Sequence, residues 1–135
     1  MNIRRVHHIN FLVRDLEAAV SSYEQTLGLR LDRMDELPDR GVRTARFRAG
    51  ETWIVLVQPV ADGEPMRTLE RNGEGFFLIS YEVDVLEAAV DRARQAGVPT
   101  TSGQPRTGVD GWRVIDLEPG RMGGALVQLC EVPRP

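Results

Sequence analysis

VRDLEAAV, residues 13–20, and VDVLEAAV, residues 83–90, match at six of eight positions across an offset of 70 residues, and this pair decides the fold. Each copy has a β-like run before it, a helix-length segment after it, and then a glycine. HHINFLV leads into DLEAAVSSYEQTL and stops at Gly28; FFLISYEV leads into DVLEAAVDRARQA and stops at Gly97. In the first copy Leu16, Ala19, Val20, Tyr23 and Leu27 recur at helical spacing, with Asp15 as N-cap and Gly28 as the residue that ends the helix. In the second, Asp84 is the expected cap, Leu86, Ala89, Val90 and Ala93 form the stripe, and Gly97 with Pro99 ends it.

Three strand-like runs follow each helix. After Gly28 come LRLDRMDEL, VRTARFRAG and TWIVLVQP, with turn signals between them; after Gly97 come VPTTSGQ, GWRVIDLE and GALVQLCEV. The plan is β-α-β-β-β twice, and strands outnumber helices, so the fold class is α+β. Residues 1–60 form the first module and 75–135 the second. A polar linker, 61–74, joins them within one compact domain. Each helix covers one face of its sheet, and the other face must meet something else.

Composition narrows the function. Charged residues make up 27% of the chain, and 17 basic residues lie scattered among 20 acidic ones for a net charge of −3, which excludes a nucleic-acid footprint. No apolar run approaches the roughly 18–20 residues of a spanning helix, and the N-terminal stretch has no apolar signal core. Cys130, the single cysteine, allows no intrachain disulfide and fits a reducing cytosol, so a cytoplasmic location is expected. Its small side chain is read as packing.

The paired modules, with HHINFLVRDLEAAVSSYEQTLGL, GEGFFLISYEVDVLEAAV and GGALVQLCE in order, resemble the vicinal oxygen chelate superfamily. That group includes glyoxalase I, extradiol dioxygenases, bleomycin-resistance proteins and methylmalonyl-CoA epimerase, and the pattern is most similar to the epimerase. The resemblance implies a mixed sheet curled around a cleft, a homodimer, and four strand residues that bind a divalent metal. The matching positions here are His8, Val55, Leu78 and Gln128. The internal offset maps His8 onto Leu78, and matching IVLVQ to VQLCE maps Val55 onto Gln128.

Two of these four are apolar and a third is a neutral amide, whereas zinc needs three or four donors and harder cations need several charged oxygens. Gln58 and Glu131 lie an odd number of residues from the ligand positions, which turns them to the opposite face. The expectation is therefore no bound metal and no cofactor.

Period-two alternation places Asn10 and Leu12, Trp53 and Val57, Phe76, Ser80 and Glu82, and Leu126 and Cys130 on the cleft side with the four ligand positions. Asn10, Trp53, Val55, Phe76, Leu78, Ser80 and Gln128 are the expected substrate contacts. Glu82, an acid on a strand face lined by Phe76 and Leu78, is the candidate general acid or base with His8 as partner. His7 faces away and packs. Arg46 and Arg48 share a face that suits an anionic ligand group, while Asp35, Glu36 and Asp116 are left open between cleft and surface.

The expected function is a metal-independent protein binding a small organic molecule in its cleft, with isomerase, lyase or cyclase chemistry through His8 and Glu82. Two alternatives stand beside it. One is ligand or antibiotic capture of the bleomycin-resistance type, with Trp53, Trp112 and phenylalanines stacking on the guest. The other is a metal-dependent methylmalonyl-CoA epimerase.

Overall fold

The computed structural model describes residues 2–134 and divides into two compact units. One is His8–Phe77. The other runs from Leu78 onward and includes the residues up to His7. No helix of the described residues is long and apolar enough to cross a membrane.

The first unit contains the second half of β1 (Ile3–Leu12), then α1 (Leu16–Leu27), β2 (Leu31–Leu37), β3 (Val42–Ala49), β4 (Thr52–Pro59) and α2 (Glu64–Asn72). Its strand order is β2-β3-β4-β1, with β1 parallel to β4 and the other pairs antiparallel. Val13, Leu16 and Val20 bury the helix stripe against Ala45, Phe47 and Leu56, and Tyr23 stacks on Phe47 at 5.9 Å. Asp15 caps α1 as expected, accepting the Ala18 N–H at 3.1 Å, and Gly28 takes the left-handed conformation that ends it.

The second unit holds the main part of β5 (Gly75–Val83), then α3 (Leu86–Gln95), β6 (Arg106–Thr107), β7 (Arg113–Asp116) and β8 (Val127–Glu131), in the order β5-β8-β7-β6. Again the first and last strands, β5 and β8, are parallel. Leu86, Ala89, Val90 and Ala93 pack on Val83, Ile115, Leu117, Val127 and Leu129. The β-α-β-β-β repeat and the α+β class hold.

Three expectations change. The segment read as a polar linker carries α2, whose Leu69 packs beside Val42 and Val57; its charge density hid a helix with only one strongly apolar anchor. VPTTSGQ forms no regular strand beyond an isolated bridge at Thr100. Asp84 does not cap α3. The N-cap is Val85, whose backbone N–H Asp84 accepts, because an offset of 70 puts Val85, not Asp84, in the place of Asp15.

The missing cap is supplied from the last strand. Glu131 Oε2 accepts the Leu86 N–H at 2.7 Å, as Gln58 Oε1 accepts the Leu16 N–H at 3.0 Å in the first unit. Arg113 bridges Glu131 and Glu87 just as Arg43 bridges Gln58 and Glu17. Gln58 and Glu131 thus face the helices, as their odd spacing predicts.

The Arg43 and Arg113 guanidiniums hold the Glu17 and Glu87 carboxyls below their ordinary value of 4.5. A depressed carboxyl means that the native state holds fewer protons than the unfolded chain. The stability it contributes is complete above the unfolded value and is lost as pH falls through the folded one. Urea melts of E17Q/E87Q are expected to lose less stability than the parent between about pH 5 and about pH 3. At neutral pH, E131A is expected to lose about 1–2 kcal/mol, the cost of an absent cap.

Candidate functional site

Strand register defines what stands on the face of each unit opposite its helix. In the first unit one row runs His8, Trp53, Arg48; the next runs Asn10, Val55, Arg46, Arg33; a third runs Leu12, Val57, Thr44, Asp35. His8 is buried, and Asn10 Oδ1 is buried without a hydrogen-bond partner among the described residues. The Arg46 and Arg48 guanidiniums lie over the Trp53 ring at 4.4 and 4.5 Å, and Arg46 Nε also pairs with Asp32 at 2.8 Å. Trp53 therefore carries cations on its π surface rather than an open stacking face. Asp35 belongs to this face and is tied to Arg33, whereas Glu36 points to the helix side and reaches Arg43.

In the second unit one row is Ser80, Gln128, Asp116 and another is Glu82, Cys130, Val114, Arg106. Asp116, undecided from sequence, thus stands on the open face. Its carboxylate accepts from Gln128 Nε2 at 3.0 Å and from Arg106 Nη1 at 3.0 Å. Glu82 is 8% exposed, but it is not a lone acid on an apolar face, since Arg5 Nε stands 3.0 Å and Arg4 Nε 3.3 Å from its oxygens. These two arginines lie at the start of β1, in a stretch whose reading went no further than its lack of an apolar signal core. Their positions, two and three residues before His7, carried no local signal for Glu82.

Other expected contacts fall differently. Leu78, Ser80 and Gln128 are buried on the expected face. Phe76 is 52% exposed and meets Phe11 edge-on, while Phe77 packs with Leu12, Val55, Val57 and Trp53. Gly73 and Gly75, both at positive φ, redirect the chain into β5, so alternation counted back from Leu78 fails at its start. Trp112 is taken up by His7, which is buried and meets it edge-on at 4.3 Å.

The positions that the resemblance assigns to a metal do not fit one. His8 shares its row with Trp53 and Arg48, and Val55 offers no donor. Leu78 offers none either, and Gln128 offers only one neutral amide oxygen, its nitrogen being donated to Asp116. Among the described residues no three His, Cys, Asp or Glu side chains gather as a metal-binding set.

Fold and residues together define an α+β chain of the glyoxalase type: it belongs to the Glyoxalase/Bleomycin resistance protein/Dioxygenase superfamily, whose family model matches residues 7–115. Within it, the chain is similar to the ethylmalonyl-CoA/methylmalonyl-CoA epimerase of Cereibacter sphaeroides, 38% identical over 96% of this chain and 99% of that one. It is 32% identical to human mitochondrial methylmalonyl-CoA epimerase over 95% of this chain and 74% of the relative. A Streptomyces coelicolor methylmalonyl-CoA epimerase variant in complex with 2-nitronate-propionyl-CoA superposes with a TM-score of 0.92 at 28% identity, covering 99% of this chain and 100% of that one. The comparisons lead to the epimerases for which the resemblance implies a metal, so they lend no support to the expected metal independence. The donor set and the kinship point in different directions.

Burial raises the Cys130 thiol to about 12, with the Glu82 and Glu131 carboxylates adding to the shift. The thiol therefore stays protonated at neutral pH, and its side chain is inaccessible. A thiol reagent such as dithionitrobenzoate is expected to leave Cys130 unmodified in the native protein and to label it fully in denaturant.

Proposed function

We propose that this chain is an isomerase of the epimerase type, moving a proton at the carbon next to a CoA thioester. The observation that carries this reading is the 38% identity to an ethylmalonyl-CoA/methylmalonyl-CoA epimerase, which extends over nearly the full length of both chains. His8 is the proposed proton-transfer group, since a buried imidazole can take up and return a proton near neutral pH. Glu82 is the second candidate, and its two arginine partners give it a charge-holding role as well. Asn10, Trp53, Val55, Leu78, Ser80 and Gln128 are proposed to line the ligand site. The same reading includes a cytoplasmic homodimer, with a solution mass of two chains expected by light scattering.

Removal of the α-proton leaves negative charge on the thioester oxygen, and that charge must be stabilised. No step is assigned to a metal, because the residues present do not hold one. A second reading, capture of a ligand without chemistry, is favoured by the donors present: Val55, Leu78 and Gln128 are each buried, and together they offer an ion only one neutral amide.

Exchange of the α-proton of methylmalonyl-CoA and ethylmalonyl-CoA into deuterium oxide, followed by NMR, tests the first reading. Exchange above the uncatalysed rate is expected, with H8A slower by roughly 100-fold. Repeating it with chelator and with added Co²⁺ shows whether an ion takes part. Tight binding of a thioester with no exchange under either condition leaves only the capture reading. E82Q is expected to cost on the order of 1–3 kcal/mol of stability by stranding two arginines beside a neutral amide. Loss of exchange beyond that expected from the unfolded fraction assigns Glu82 to chemistry.

A further inference from the structure

The face of the second unit opposite its helix contains a polar chain, buried at one end, to which the proposed reaction assigns no proton transfer. Gln128 is 2% exposed, and Ser80, its register partner on β5, is fully buried. Gln128 donates through Nε2 to Asp116 Oδ1, and Arg106 donates to Asp116 Oδ2, each at 3.0 Å. A carboxylate can only accept, so the amide must turn its nitrogen toward Asp116 and its oxygen away. That oxygen, Gln128 Oε1, is buried with no hydrogen-bond partner among the described residues, while the buried Ser80 hydroxyl has only the weakly accepting Cys130 sulfur beside it. Buried polar atoms are normally satisfied, and an acceptor held in a fixed orientation without a donor marks a place where a donor is to arrive.

We propose that Asp116, balanced by Arg106, is a positioning residue that locks the Gln128 amide, so that Gln128 Oε1 and the Ser80 hydroxyl receive a neutral N–H or O–H donor of the bound ligand in place of a divalent cation. The charge arithmetic agrees with this. Asp116 is the carboxylate hydrogen-bonded to Gln128, and its charge is already offset by a guanidinium, so little negative potential is left to attract an ion. The Gln128 oxygen is one neutral dipole, suited to an amide or hydroxyl group such as the pantetheine arm of a CoA thioester carries. That choice of ligand rests on the function proposed above; the locked amide does not.

The test uses ¹⁵N-labelled full-length protein, with the Gln128 side-chain resonance assigned by its loss in Q128L. A locked amide is expected to show slow Nε2 proton exchange, speeding at least 10-fold in D116N, where the partner no longer dictates which end of the amide faces it. Exchange in the parent as fast as that of the other glutamines overturns the lock. Equimolar Mn²⁺ is expected to leave the Gln128 and Ser80 signals unbroadened, and selective broadening there overturns the exclusion of a cation. Methylmalonyl-CoA is expected to shift both signals and to bind about 10-fold more weakly to Q128L. Binding with neither effect overturns donor recognition at this site. If the parent binds no thioester, the proposed function fails and donor recognition fails with it, while the amide exchange still judges the lock.

Discussion

The structure depends on how the start of each main helix is fixed to its sheet. The first N–H groups of a helix have no partner within it, and burying them unpaired is costly. Here the last residues of β4 and β8 supply the acceptor: Gln58 for Leu16, Glu131 for Leu86. The arginines that bridge onward to Glu17 and Glu87 place opposite charge around the same first turn. Because Gln58 and Glu131 project toward the helix, the residues three positions earlier, Val55 and Gln128, must project the other way. One hydrogen bond per unit thus ties the helix start to the strand face that the apolar clusters already bury.

This explains why the fold and the open face were largely legible in the sequence, and why the site chemistry was not. Apolar spacing in LEAAV, a glycine terminator and period-two strands are local signals, and they carried the helices, the cap at Asp15 and the burial of His8, Ser80 and Gln128. What escaped was set by partners distant in sequence. Nothing near Glu82 announces Arg4 and Arg5, and nothing near Gln128 announces Asp116 and Arg106. The second helix failed the pattern test because only Leu69 anchors it among many charges. At Phe76 and Phe77 two positive-φ glycines break the alternation on which the reading relied.

The same separation of scaffold from site accounts for the tension between kinship and donor set. Packing on the helix side involves Leu16, Phe47 and Leu56 in one unit and Leu86, Ile115 and Leu129 in the other. None of these is on the open face, so residues there can change identity without disturbing the core that fixes the fold. Val55 and Leu78 are buried apolar side chains in places where the resemblance implies donors; they maintain the packing of the face and abandon its coordination chemistry.

Charge on the two open faces is arranged to match that change. A divalent-ion site needs a surplus of negative or lone-pair donors, whereas here the carboxylates of Asp32, Asp35, Glu82 and Asp116 are each matched by at least one guanidinium. In the first unit Arg48, in the row that contains His8, and Arg46, in the next, both place positive charge over the ring of Trp53. The residues at the donor positions and the charges around them therefore point the same way within each unit: away from a divalent cation.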